Sequence, residues 1–160
     1  MNTNGNFHSI EENLVRTLYK DFIQGWNNRD AGQMANLFSE DGNMIGFDGS
    51  QMNGKIEMDA VLSQIFIDHP TGSYVGIIRE VRFLSNDVAV LRAEAGMVPH
   101  GHSDINPAIN SVQTIVAMKK ESRWYIAVFQ NTPAAFHGRP KLTEQLTAEL
   151  RKVLGANSHI

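Results

Sequence analysis

The hydrophobic period of this chain switches once, near Ser73, from a helical to a strand-like repeat, and that switch limits the folds open to it. Before it, Ile10, Leu14, Leu18 and Phe22 form an apolar stripe, widened by Val15, Ile23 and Trp26. Ser9 and Glu12 have the spacing of a capping box at the start of that helix. Asp30 is placed to cap a second, short helix with Gln33 at the reciprocal position, which turns Met34, Leu37 and Phe38 inward. The stretch from Asp41 to Asn53 reads as turns with one short strand pair. A third helix is expected from about Lys55 to Ile67, burying Ile56, Val61, Leu62, Ile65 and Phe66, and ending at His69-Pro70-Thr71-Gly72. Beyond the switch, four alternating runs at about 74–84, 87–98, 110–120 and 123–132 read as strands. A closing amphipathic helix at about 141–154 carries Leu142, Leu146, Leu150 and Val153. Helices followed by hairpins predict an α+β domain with segregated helices, not a parallel βαβ sheet. A chain of 160 residues suits one such domain, 1–160, with its core at about 8–133.

Hairpin parity then sorts the side chains by face. A two-residue turn at Glu121-Ser122 sets Lys120 opposite Arg123 and makes Gln113 and Gln130 direct cross-strand neighbours. A turn at Asn86-Asp87 places Val75, Ile77, Arg79, Val81 and Phe83 on one face with Val90, Arg92, Glu94 and Val98. The early helices can cover only one face, and this is the face expected beneath them. The other, bearing Leu91, Met97, Tyr125 and Phe129, is expected to meet a second copy of the chain, since large uncovered apolar patches are rare on monomers. The covered face is apolar apart from Arg79, Arg92, Glu94, Gln113 and Gln130. A few polar groups in an apolar concavity describe a small-molecule site.

Several function classes are excluded or disfavoured. A net charge of −3 supplies no basic footprint for nucleic acid. The absence of cysteine removes disulfides, thiolate metal sites and cysteine nucleophiles. No apolar run reaches the ~20 residues needed to span a bilayer, and the first residues lack a signal-peptide pattern, so a cytoplasmic location is expected. His100-Gly101-His102-Ser103-Asp104 has an unspecific metal spacing and reads better as a solvated rim loop; no metal and no cofactor are expected. Asp30 and Asp41 have capping and turn roles as their simpler explanations, and Arg79 with Glu94 has that of an ion pair.

Trp26-Asn27-Asn28-Arg29-Asp30-Ala31, Leu37-Phe38-Ser39-Glu40-Asp41-Gly42, Val88-Ala89-Val90 and Arg123-Trp124-Tyr125-Ile126-Ala127 resemble the signatures of SnoaL-like, NTF2-like (cystatin-like) domains. Gln130-Asn131-Thr132-Pro133 and Gly138-Arg139-Pro140 are similar to the SgcJ/EcaC branch of that superfamily. The resemblance implies a cone of curved antiparallel sheet wrapped on a long helix, usually a homodimer through the sheet. It implies no single activity, because the superfamily holds isomerases, cyclases, dehydratases, hydrolases and binding domains. Its isomerases place a carboxylate base at the position of Gly46 here, which has no side chain; Asp48 is nearby. Two readings follow. One is a binding domain for a small hydrophobic or oxygenated molecule, with Trp26, Arg79, Arg92, Gln113 and Gln130 as contacts. The other is a cofactor-independent isomerase, cyclase, lyase or hydrolase with Glu94 or Asp41 as acid/base and an arginine polarising an oxyanion.

Overall fold

The computed structural model describes residues 3–156 and 159–160, and its first element, helix α1, runs over Thr3–Asn27. Ser9 and Glu12 therefore lie inside the helix and do not form its cap. The buried face is also rotated from the expected stripe. Glu11, Val15, Leu18, Tyr19, Phe22 and Ile23 are buried, whereas Ile10 and Leu14 are 61% and 45% exposed. A buried glutamate on an apolar face needs partners. Glu11 has two, the indole N–H of Trp124 and the Lys119 ammonium at 3.0 Å. Burial alone would raise the Glu11 pKa, but these two hydrogen bonds and the Lys119 charge outweigh it and hold the carboxyl below its usual value.

Helix α2 (Ala31–Ala35) starts where the sequence places it, with the Gln33 N–H donating to Asp30 Oδ1 at 2.9 Å. Strands β1 (Phe38–Ile45) and β2 (Gln51–Asn53) form the expected short hairpin. Helix α3 (Lys55–Asp68) buries Met58, Leu62 and Phe66. Ile56 and Val61, expected inside, face out; the buried row advances by fours from Met58, and Ile56 is 84% exposed.

Strands β3 (Ser73–Ser85), β4 (Val88–Val98), β5 (Ser111–Lys120) and β6 (Arg123–Pro133) complete a six-stranded curved sheet in the order β2-β1-β6-β5-β4-β3. Only the β1–β6 pair is parallel. Glu121 and Ser122 turn the last hairpin with φ of 50° and 65°, the left-handed pair that matches strand twist.

Three bulges in the two long hairpins decide which side chains face the helices. Lys120 pairs with Arg123 and Ala117 with Ile126, as hairpin parity requires, but Val116 then pairs with Val128, leaving Ala127 extra. Gln113 consequently faces Asn131, and Gln130 turns to the other side. In the first hairpin the register shifts between Phe83 and Ser85, which leaves Leu84 extra and sets Phe83 opposite Ala89, and again between Ile78 and Glu80. Tyr74, Gly76 and Ile78 below the latter shift therefore share the helix-covered face with Val81 and Phe83 above it. Strand β4 pairs with β5 without a break and turns Ala89, Leu91, Ala93 and Ala95 to that same face. The expected inward set of Val90, Arg92, Glu94 and Val98 is thus reversed. Alanines admit a close helix, while the charged partners of the alternation stay in water. The closest approach is at Gly76, where an added Cβ would lie 2.4 Å from the Tyr19 hydroxyl.

Helix α4 (Pro140–Gly155) crosses the outer face, where Leu146 and Leu150 pack on Val75 and Ile105 as a second, smaller core. Arg79 sits between Glu94 on β4 and Glu149 on α4, 2.8 Å from the latter. The outer edge of β3 is occupied. Asn27 accepts from the Tyr74 backbone N–H at 2.7 Å and donates to its carbonyl at 3.0 Å, and the Gly76 N–H donates to the His159 carbonyl at 2.7 Å. No helix among the described residues is long and apolar enough to cross a membrane.

Candidate functional site

The last turns of α1 do not fill the space beneath the sheet. A cavity of about 320 Å³ opens there, small for a ligand site but within the usual scale. Aromatic rings make much of the wall: Phe22 and Trp26 from α1, Tyr74 from β3 and Phe129 from β6. Met34, Met44, Met52 and Met97 supply an adaptable, polarisable remainder. Trp26 is held by its indole N–H donating to the Gly72 carbonyl at 3.0 Å, and Phe66 and Tyr74 meet its ring at centroid distances of 5.2 and 5.5 Å.

The polar lining is sparse. Asp48 and Ser50 lie on the loop joining β1 to β2, at the mouth. The Ser50 backbone N–H donates to Asp48 Oδ1 at 2.9 Å, and this bond together with one from the serine side chain holds the Asp48 carboxyl below its ordinary pKa. Deeper in, Asn131 Nδ2 donates to the Tyr74 hydroxyl at 3.2 Å. Burial pushes the Tyr74 phenol above its ordinary pKa, partly offset by that bond, so the hydroxyl keeps its proton across the physiological range. Among the described residues no lysine, arginine or histidine lines the cavity.

The residues expected to form the site are divided by these bulges. Trp26 lines the cavity as expected. Gln113 shares that side of the sheet but lies fully buried behind it, where its Oε1 accepts from the Tyr19 hydroxyl at 2.7 Å. Arg79, Arg92, Glu94 and Gln130 lie on the opposite face, so the expectation that they join Gln113 beneath α1 fails. Arg92 pairs there with Glu80, and Arg79 with Glu94. Asp41 is exposed on β1, in a surface cleft with Lys55, Lys120 and Arg123, away from the cavity. Leu91 and Phe129, assigned to an outer dimer face, are 0% and 4% exposed within the core, and Met97 lines the cavity; only Tyr125 of that set faces outward. His100 and His102 are exposed, and Asp104 pairs with Arg151 at 2.9 Å. Among the described residues no group of three His, Asp or Glu side chains is placed to hold a metal ion.

Tyr74 and Asn131 were not singled out by the sequence. Tyr74 reads there as an ordinary strand opener, and Asn131 reaches the inner face only because Ala127 adds a residue to β6. Nothing in Ile126-Ala127-Val128 marks a bulge; glycine, its commonest signal, is missing.

A family model described as a SnoaL-like domain matches residues 15–132. No curated protein matches the chain. Among solved structures, a domain of unknown function with a cystatin-like fold from Nostoc punctiforme is 23% identical, covers 91% of this chain and 92% of its own, and has a TM-score of 0.75. A scytalone dehydratase assigned by similarity, from Novosphingobium aromaticivorans, is 14% identical over 81% of this chain and 89% of its own, with a TM-score of 0.69. A ketosteroid isomerase-like protein from Erwinia carotovora is 16% identical over 76% of this chain and 95% of its own, with a TM-score of 0.61. At these identities the likeness is one of fold, and the activities belong to those proteins.

Proposed function

The chain belongs to the SnoaL-like domain family, and from that premise we propose that it binds a small, chiefly apolar molecule in the cavity beneath the end of α1. The carrying observation is an aromatic and methionine wall bearing only a few polar groups and, among the described residues, no cation. The proposal includes a homodimer formed through the part of the outer face that α4 leaves uncovered, where Val116, Met118 and Tyr125 are only half-buried. This replaces the face first expected, two of whose residues are core.

The test uses naphthalene as a probe, followed by quenching of Trp26 fluorescence in a Trp124→Phe background. Saturable binding is expected, and Ser50→Leu, which narrows the mouth at an exposed position, weakens it at least about tenfold. Absence of saturable binding would discard the reading.

A second reading, a cofactor-independent enzyme, is favoured by one observation: the Asp48 carboxylate shares the cavity with the Tyr74 hydroxyl. A base with a depressed pKa has little proton affinity near neutral pH, which is why binding is preferred here.

A further inference from the structure

Asn131 is 6% exposed, and its side-chain oxygen is buried without a hydrogen-bond partner, although it lines the cavity. Buried amide oxygens are normally satisfied, so an unpaired one on a side chain that lines a hollow needs an account. Its neighbour completes the picture. The Tyr74 hydroxyl accepts from Asn131 Nδ2 at 3.2 Å and retains its own proton to donate. The two side chains therefore offer one acceptor and one donor side by side in an otherwise apolar chamber.

We propose that Tyr74 and Asn131 form an oxygen anchor that selects a neutral, ring-sized ligand carrying a hydroxyl group, phenolic or alcoholic. A hydroxyl accepts from Tyr74 and donates to Asn131 Oδ1 at once, satisfying both. A bare hydrocarbon fills the chamber but leaves both groups unmet. A carboxylate has no proton for Asn131 Oδ1 and meets no cation in the wall, so its burial is uncompensated. Turning the carboxylate toward the mouth brings it to Asp48, which is held ionised by Ser50. The anchor is rigid on both sides. Asn27 grips the Tyr74 backbone through two hydrogen bonds, and Asn131 is fixed in a paired strand opposite Gln113. The inference rests on the cavity reading above and adds the chemical class.

The experiment compares naphthalene, 2-naphthol and 2-naphthoate at pH 7 on the whole chain by the same fluorescence titration. In the otherwise unaltered protein 2-naphthol binds about tenfold tighter than naphthalene, the gain of two modest hydrogen bonds. 2-Naphthoate binds at least about a hundredfold more weakly than 2-naphthol. Tyr74→Phe and Asn131→Leu each cut the ratio of 2-naphthol to naphthalene affinity at least about threefold. If Asn131→Leu does not fold, Tyr74→Phe, which loses a single oxygen, carries the test. Equal binding of naphthalene and 2-naphthol overturns the anchor while leaving the cavity reading intact. So does a preference that survives both substitutions, or 2-naphthoate binding as tightly as 2-naphthol. Failure of naphthalene itself overturns the cavity reading and the anchor with it.

Discussion

The two ends of α1 lie under the same sheet, yet one is packed solid and the other is hollow. At the N-terminal end Glu11 bonds the Trp124 indole, Phe83 stacks edge-on to that indole at 5.8 Å, and Val15, Leu91 and Ile115 are fully buried. At the C-terminal end Phe22, Trp26, Tyr74 and Phe129 are as large, but they stand around a space instead of filling it. Side-chain size is therefore not what separates them. At the filled end a charge-assisted clamp draws the helix onto the last hairpin. At the hollow end the helix is joined to β3 by backbone-directed bonds from Trp26 and Asn27, which hold the strand while the loop from Ile45 to Gln51 forms the far wall.

Truncating each end should break or sharpen this contrast most strongly. Ile115→Ala in the filled end is expected to cost about 3–4 kcal/mol in urea unfolding, since it opens a cavity among fully buried neighbours. Met97→Ala, whose side chain already borders open space, is expected to cost below about 1.5 kcal/mol. Equal costs would mean that the two ends are packed alike. At the boundary between them, Gly76→Ala forces a methyl group against the Tyr19 hydroxyl, and overpacking of this kind costs about 1–3 kcal/mol. Measured against Tyr19→Phe alone, which lacks the nearest atom and also the bond to Gln113, the further cost of Gly76→Ala should be smaller; an unchanged cost would show that Tyr19 is not the obstacle.

The smallest expected effect probes the clamp. Glu11→Gln keeps the volume and one acceptor but removes the charge facing Lys119, at a cost of about 1–2 kcal/mol at pH 7. Its dependence on pH has a fixed sign. The folded carboxyl titrates below the ordinary value of 4.5, so its contribution is complete above that pH and fades as the pH falls through the lowered value. Paired urea titrations at pH 7 and at acid pH should show the gap between Glu11→Gln and the unaltered protein closing. A gap that persisted in acid would remove the charge from the account.

Much of this arrangement was legible in the chain, and what was not fails for a definable reason. The order of helices and strands, the Asp30 cap, the Glu121-Ser122 turn and the apolar cone with Trp26 in its wall follow from periodicity, capping and turn chemistry, with the family resemblance behind the cone. Gln113 was readable as a buried amide in need of a partner, but not that the partner is Tyr19, because the approach of α1 depends on Gly76 across the sheet. Parity arguments are sound only along an unbroken ladder. Ala127, Leu84 and Arg79 each break one, Leu84 being the break that reverses β4, with no glycine to announce it. That is why Glu94 and Gln130 were assigned to the wrong face and Asn131 to none.

The bonds that Asn27 and His159 make to β3 have a consequence beyond shaping the cavity. β3 is one of the two free margins of the sheet, and an open margin invites another chain to add itself as a further strand. Here a side-chain amide stands in for such a neighbour at Tyr74, and a carbonyl near the end of the chain does so at Gly76. The opposite margin, β2, is only three residues long. The first residues of β3 and the short β2 thus offer few free backbone groups, and strand addition is disfavoured at those two places.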